Sequence, residues 1–233
     1  MRILSLSTLI IILLLTGCMH RKSINNLSAD EFYNKAMIDF QNDRYNNAIT
    51  NFKNVIFQYP GSDKMESAQY YIGESYFSMK KYADAINEYS FLVNSFMGSS
   101  YYEDAIYKTA LCYYLLSTKS ILDQTDTKKA EELLKEFIEQ YPGSKHKKEA
   151  EEMIKCCHIK YIKKTLDSGE LYYKIGKYNA AIMYYEKALA MKDSDYMIEP
   201  IYEHFVLVYK KIKNNGKFSQ YKKELDKLRM NKN

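Results

Sequence analysis

The chain has 233 residues, 46% of them hydrophobic and 27% charged, with only 8 Gly and 3 Pro. That balance is too apolar for a disordered chain, and the scarcity of turn residues excludes collagen-like and low-complexity architectures while suiting long helices joined by short links. The formal charge of +5, or +4 without Arg2, is mildly basic and weak grounds for a nucleic-acid ligand.

Arg2 followed by the apolar run Ile3 to Leu15, broken only by Ser and Thr, has the basic start and short apolar stretch of an export leader. At about 13 residues the run is too short for a bilayer core that needs roughly 20. It ends Leu15-Thr16-Gly17-Cys18, which resembles the lipobox of bacterial lipoproteins: an aliphatic residue, two small ones, then the cysteine that becomes the first residue and carries the lipid. The resemblance implies a signal peptide over 1–17, a covalent lipid on Cys18 as the one attached group, and a membrane anchor made by its acyl chains. Met19 stands where enterobacterial lipoproteins destined for the inner membrane carry Asp, which points this chain to the outer membrane. Residues 18–27, polar and without periodicity, read as a lipidated tether.

From Ser28 the chain is written in units. Tyr33, Tyr70 and Tyr107 share one register at a spacing of 37 residues, as do Ala36, Gly73 and Ala110, and Phe40, Phe77 and Tyr114. Tyr45 matches Tyr82, Ala48 matches Ala85, and Phe52 matches Tyr89. A period in the thirties without β-branched runs is the signature of stacked helix pairs. Ser28 with Glu31 predicts a capping box that starts the first helix. Asn42-Asp43-Arg44 is the turn, Tyr45 to Gln58 the second helix, and Tyr59-Pro60-Gly61-Ser62 the stop. The second unit turns at Lys80-Lys81.

Small residues twelve apart, Ala36 with Ala48 and Gly73 with Ala85, resemble the tetratricopeptide pattern, in which paired helices cross closely at two small side chains. Phe52 and Tyr89 supply its large residue, and Pro60 and Pro142 its closing proline. In the third unit Ala110 and Ala130 stand eight residues too far apart, and the excess falls in Ser117 to Thr127. The fourth recovers the spacing with Gly169 and Ala181 and is preceded by a helical pattern from about Lys145, near 30 residues long. A degenerate fifth pair runs over Ser194 to Lys213 and Gly216 to Met230, its Lys-rich second helix reading as a solvated capping face. The expectation is an all-α fold, an α-solenoid of about five tetratricopeptide-like helix pairs over 28–233, with units near 28–60, 61–97, 98–142, 143–192 and 193–233.

In the first helix of each pair, Phe32, Ala36 and Asp39, matched by Gln69, Gly73 and Tyr76, contain the small residue and must face the second helix. The neighbouring stripe holds Tyr33, Met37 and Phe40, then Tyr70, Glu74 and Phe77, then Tyr107, Leu111 and Tyr114, each trio on one side of its helix. Such a column either packs between adjacent repeats or lines a concave groove for partner segments. The hydroxyls of so many Tyr favour the groove.

Leader and repeats together resemble the outer-membrane assembly lipoproteins of the BamD family. The most specific stretch is Glu103-Asp104-Ala105 through Ala110-Leu111-Cys112-Tyr113-Tyr114, then Leu122-Asp123-Gln124-Thr125 and Lys129-Ala130, similar to that family's third repeat with its inserted loop. Leu122 stands where the family often has Arg. The resemblance implies a scaffold lipid-anchored at the periplasmic face of the outer membrane. Its partners would be the periplasmic domains of the β-barrel insertase, other assembly lipoproteins, and unfolded outer-membrane protein segments in the groove. The loop residues Asp123, Gln124, Thr125 and Asp126 would be a further partner contact. The alternative is a tetratricopeptide lipoprotein of another envelope system, a secretin or pilus pilotin or a coordinator of peptidoglycan enzymes.

No phosphate loop, HExxH, GxSxG or Asp-rich metal loop is present, so no catalytic residue and no metal or other cofactor is expected. Cys156-Cys157-His158 with His146 invites a metal reading, but adjacent cysteines on a helix diverge by about 100° and no second pair completes a site. Cys112 reads as a small packed residue. Three thiols remaining after Cys18 is lipidated are an awkward number for an oxidising compartment, and burial is the simplest account. The carboxylates Asp123, Asp126, Glu131 and Glu132 read as caps and a solvated loop.

Overall fold

The computed structural model describes residues 27–117 and 123–231. The expected leader, Cys18, the tether up to residue 26 and residues 118–122 of the inserted loop lie outside the described residues. Within them the protein is all-α, with no strand, and no helix is long and apolar enough to cross a membrane. The chain forms two compact bodies, one ending at Ala68 and one starting at Gln69.

The first body holds α1 (Ala29–Gln41) and α2 (Tyr45–Gln58). The capping box is formed: Ser28 Oγ accepts from the Glu31 N–H at 3.2 Å, and Glu31 Oε2 accepts from the Ser28 N–H at 2.9 Å. Two of the four orphan donors at the start of α1 are thereby satisfied. Asp39 does face α2, where an apolar residue would be ordinary. Its buried carboxylate accepts from Arg44 Nε at 2.8 Å and from Asn51 Nδ2 at 3.0 Å. Buried charge is tolerable there because both oxygens are paired.

The second body contains most of α3 (Met65–Ser78), then α4 (Tyr82–Ser95), α5 (Tyr102–Leu116), α6 (Thr125–Gln140), α7 (Lys147–Lys174), α8 (Tyr178–Leu189), α9 (Ile198–Lys211) and α10 (Asn215–Met230). From α4 onward each helix packs on the next in chain order. The turn inside a pair is the same device four times. A residue in the left-handed region follows the helix: Asp43 at φ 57°, Lys80 at 59°, Gly176 at 77° and Lys213 at 58°. The next N–H then reaches back to the carbonyl five residues earlier, as from Lys81 to Tyr76 and from Lys177 to Tyr172, both at 2.9 Å. This Schellman geometry stops one helix and aims the chain into its partner. In the third pair the inserted loop replaces it, with α5 ending at Leu116 and α6 starting at Thr125.

The close crossing within pairs rests on matched sizes. A Cβ added at Gly73 would lie 2.5 Å from Cε1 of Tyr89, and one at Gly169 would lie 2.4 Å from Cε1 of Tyr185. Both rings are buried, and the Tyr89 hydroxyl is held by Glu74 Oε1. Where the small residue is Ala110, the residue equivalent to those tyrosines is Leu134. In these three pairs of the second body, glycine therefore meets a tyrosine and alanine meets the shorter Leu134.

Helix α7 runs unbroken for 28 residues, close to the length expected. Its first half brings Ala150 and Met153 to the core around Tyr107, Ala110, Leu134 and Phe137. Its second half brings Ile162 and Leu166 to the core around Ala181, Tyr185, Ile201 and Phe205. The fifth pair begins later than the sequence suggests. Ser194–Met197 forms a 3-10 turn, and α9 starts at Ile198 so that Pro200 falls in its first turn, where a missing N–H costs nothing.

Gly73→Ala and Gly169→Ala should each lower stability by about 1–3 kcal/mol from overpacking, although alanine in a solvent-facing helix position would gain about 1 kcal/mol over glycine. The double variant Gly73→Ala/Tyr89→Leu should melt higher than additivity of the two single changes allows, which thermal denaturation of the four proteins measures.

Candidate partner-binding face

The stripe beside the small residues does not form one continuous open wall. In the second body its upper rings are sealed. Tyr70, 9% exposed, stacks on Tyr101 at 4.5 Å, and Tyr107, 2% exposed, stacks on His146 at 4.0 Å with the planes 7° apart. Tyr101 and His146 stand just before α5 and α7, so each plugs the upper ring of the preceding pair. Burial, with Glu74 nearby in the case of Tyr70, pushes both phenols above their ordinary value. His146 is fixed in turn by Asp104, with Nε2 at 3.0 Å from Oδ1.

The lower part of the stripe is half-buried. Glu74 pairs with Lys108 at 2.9 Å, and the Lys108 ammonium lies 4.4 Å from the centre of the Phe77 ring. One pair further on, Lys160 from α7 lies 4.3 Å from the centre of the Tyr114 ring and donates to Ser117 Oγ at 2.6 Å. Leu111 sits half-buried between these positions along α5. The face thus carries an aromatic ring under a lysine, twice, at neighbouring helices. Such units hold their cations by ring quadrupoles while offering apolar edges. Desolvation holds the Lys160 ammonium below its ordinary value and lifts the Tyr114 phenol to about 12, a hydrogen bond with Cys156 adding to the latter.

In the first body Tyr33 meets Phe52 edge-on at 5.6 Å and Phe40 meets Tyr45 at 5.6 Å, with Met37 half-buried between them in sequence. The loop residues Asp123 to Asp126 form the start of α6. Asp123 Oδ1 accepts from the Thr125 N–H at 2.9 Å and from the Thr125 hydroxyl at 2.7 Å, and these bonds hold its carboxyl below the usual range. Gln124 is buried and Asp126 half-buried.

Cys112 and Cys157 are buried as small packed groups, and Cys156 is half-buried beside Tyr114. Burial raises the Cys112 thiol to about 12 and the Cys157 thiol to about 11, so neither is a thiolate near neutrality. His146 at the cap of α7 and His158 within it lie twelve residues apart, about 18 Å along the helix axis. The ring nitrogens of His158 face Asp193 and Glu131, the latter at 3.0 Å. Among the described residues no group of three His, Cys, Asp or Glu side chains is placed to hold a metal ion.

Sequence periodicity reached the stripe but not Lys108, Lys160, Tyr101 or His146. Lys108 was within reach, one residue after Tyr107 in the same register. Lys160 belongs to a helix whose length breaks the 37-residue frame.

A family model described as YfiO, outer membrane lipoprotein, matches residues 25–216. The chain belongs to this family. Among curated proteins it is similar to the outer membrane protein assembly factor BamD of Rickettsia prowazekii, 25% identical over 201 residues, covering 84% of this chain and 80% of that protein. It is also similar to BamD of Caulobacter vibrioides, 25% identical over 138 residues, covering 59% of this chain and 45% of that protein. Similar solved structures include the TPR2AB-domain:pHSP90 complex of yeast Sti1, at 12% identity and a TM-score of 0.47, covering 83% of this chain and 74% of that one. A tetratricopeptide repeat protein of Parabacteroides merdae follows at 13% identity and a TM-score of 0.46, covering 91% and 83%.

The Asp104 contact has a pH signature. Burial raises its carboxyl, but hydrogen bonds from His146 and Lys145 outweigh burial and leave it below 3.8. The ionised form therefore adds stability that is complete above the unfolded value and is lost as pH falls through the lowered one. Asp104→Asn should flatten the decline of melting temperature as pH falls below the ordinary carboxylate range, while leaving helicity at neutral pH unchanged.

Proposed function

We propose that this protein is a non-enzymatic scaffold of outer-membrane protein assembly, anchored by a lipid on Cys18 at the periplasmic face of the outer membrane. The observation that carries the reading is the family match across residues 25–216, joined to similarity with an assembly factor over four-fifths of that relative's length. The scaffold docks on the periplasmic domains of the barrel insertase and on companion lipoproteins. It takes up extended segments of barrel precursors along the half-buried stripe of its first helices.

The chemistry of the stripe supports the second part. A barrel strand presents alternating aromatic and polar side chains. Phe77 under Lys108 and Tyr114 under Lys160 offer apolar ring edges and cations together, which suits weak and reversible capture of an extended segment and its carboxylates. Tyr70 and Tyr107, already stacked on Tyr101 and His146, serve to set the spacing of the helices that carry those units.

Two experiments test this. The detergent-solubilised lipidated chain should co-purify a large outer-membrane β-barrel protein with repeated periplasmic domains, and recovery of a secretin alone overturns the docking role. Photo-crosslinkers at Phe77 and Tyr114 should capture barrel precursors, whereas one at Tyr107 should not. Silence at the first two positions in a chain that still holds the insertase removes client capture and leaves the docking.

A further inference from the structure

The basic charge of this protein is not spread over its repeats. Residues 198–233 contain nine Lys or Arg against four Asp or Glu, so they carry the whole +5, while residues 1–197 balance at 25 of each sign. The four carboxylates of the terminal pair are also engaged. Glu199 and Glu203 face Arg229, Glu224 faces Lys227 at 3.6 Å, and Asp226 faces Lys222 at 2.6 Å.

Of the described lysines in this pair, Lys210, Lys211, Lys213, Lys217 and Lys223 are exposed and outside those ion pairs, the first four clustered at the turn between α9 and α10. This turn adjoins the one between α7 and α8, since Ile212 lines a shared cleft with Gly176, Lys177, Tyr178, Asn179 and Ala180. Lys177 adds a further exposed cation. On the last turn of α7 and at its cap, Leu171 and Ile175 are 61% and 56% exposed.

We infer that this edge of the last two pairs docks on a membrane surface rich in anionic phospholipid. The inference rests on the reading that the chain is anchored at a membrane. Eight of the nine basic residues in the terminal pair are Lys, and its one Arg is committed to two glutamates. Compact, strongly hydrated ammonium groups on flexible stems suit a diffuse layer of headgroup phosphates, whereas an acidic protein segment is better held by the planar fork of Arg. The two aliphatic side chains beside the lysines supply the shallow apolar contact that an interfacial surface adds to its charge. One lipidated cysteine with a second, electrostatic attachment at the far end of the chain sequence would fix the orientation of the scaffold on the leaflet, and not only its location.

Flotation with vesicles tests this, using the full mature chain with Cys18→Ser so that no acyl group contributes. It should float with phosphatidylcholine vesicles containing phosphatidylglycerol at low salt, and neither with phosphatidylcholine alone nor at high salt. The variant Lys210→Glu/Lys211→Glu/Lys213→Glu/Lys217→Glu should bind at least about tenfold more weakly, with unchanged helicity. Lys80→Glu/Lys81→Glu, which alters the equivalent turn of another pair, should bind as the parent does. Flotation of the fourfold variant equal to the parent overturns the proposal. So does a parent that ignores anionic vesicles, including the case in which the same lysines crosslink to an acidic segment of another assembly protein. Neither result touches co-purification with the insertase, so failure here is distinguishable from failure of the assembly role.

Discussion

Two helices can lie close along their length only where a small residue stands at the crossing, and in the second and fourth pairs of this protein that residue is a glycine whose space is filled by one large residue from the partner. Gly73 receives the Tyr89 ring and Gly169 receives the Tyr185 ring, each at a distance that leaves no room for a methyl group. The Tyr89 hydroxyl then reaches Glu74, which pairs with Lys108 of the next helix, whose ammonium covers Phe77. A choice of glycine thus propagates outward through a buried phenol to the exposed face. Packing and surface chemistry are parts of one chain of contacts.

That chain explains why the functional face is only partly open. In the second body the upper rings, Tyr70 and Tyr107, lie nearest the following helix pair, where an aromatic or imidazole at its start covers them. Tyr101 and His146 do so by stacking, and burial of an aromatic ring is among the larger contributions a small core can obtain. In the same body Phe77 and Tyr114, further along their helices, lie beyond that reach and meet the ammonium groups of Lys108 and Lys160 instead, which shield one side of each ring.

The helix pairs, their turns and the small residues at their crossings were legible in the sequence because they depend on local spacing. The bounds of α2 and the uninterrupted α7 follow from periodicity and from the positions of Pro60 and Pro142. The fate of the aromatic stripe was not legible to the same degree. Whether Tyr107 opens to solvent depends on His146, 39 residues away and outside the repeating frame, and on the orientation Asp104 gives that imidazole. The 3-10 turn before α9 escaped for a similar reason. Asp193 takes a left-handed conformation there and faces His158 on α7, a tertiary contact that local propensity does not encode.

Helix α7 makes the middle of the chain indivisible. Its first half roofs the core of the third pair, and its second half is itself a member of the fourth, with no glycine or proline between Lys147 and Ser168 to permit a break. Repeat arrays ordinarily lengthen or shorten by whole modules. Here a deletion or recombination junction within that shared rod strips the cover from one module while removing half of another, so whole-module changes are least disruptive at the flanks of the array.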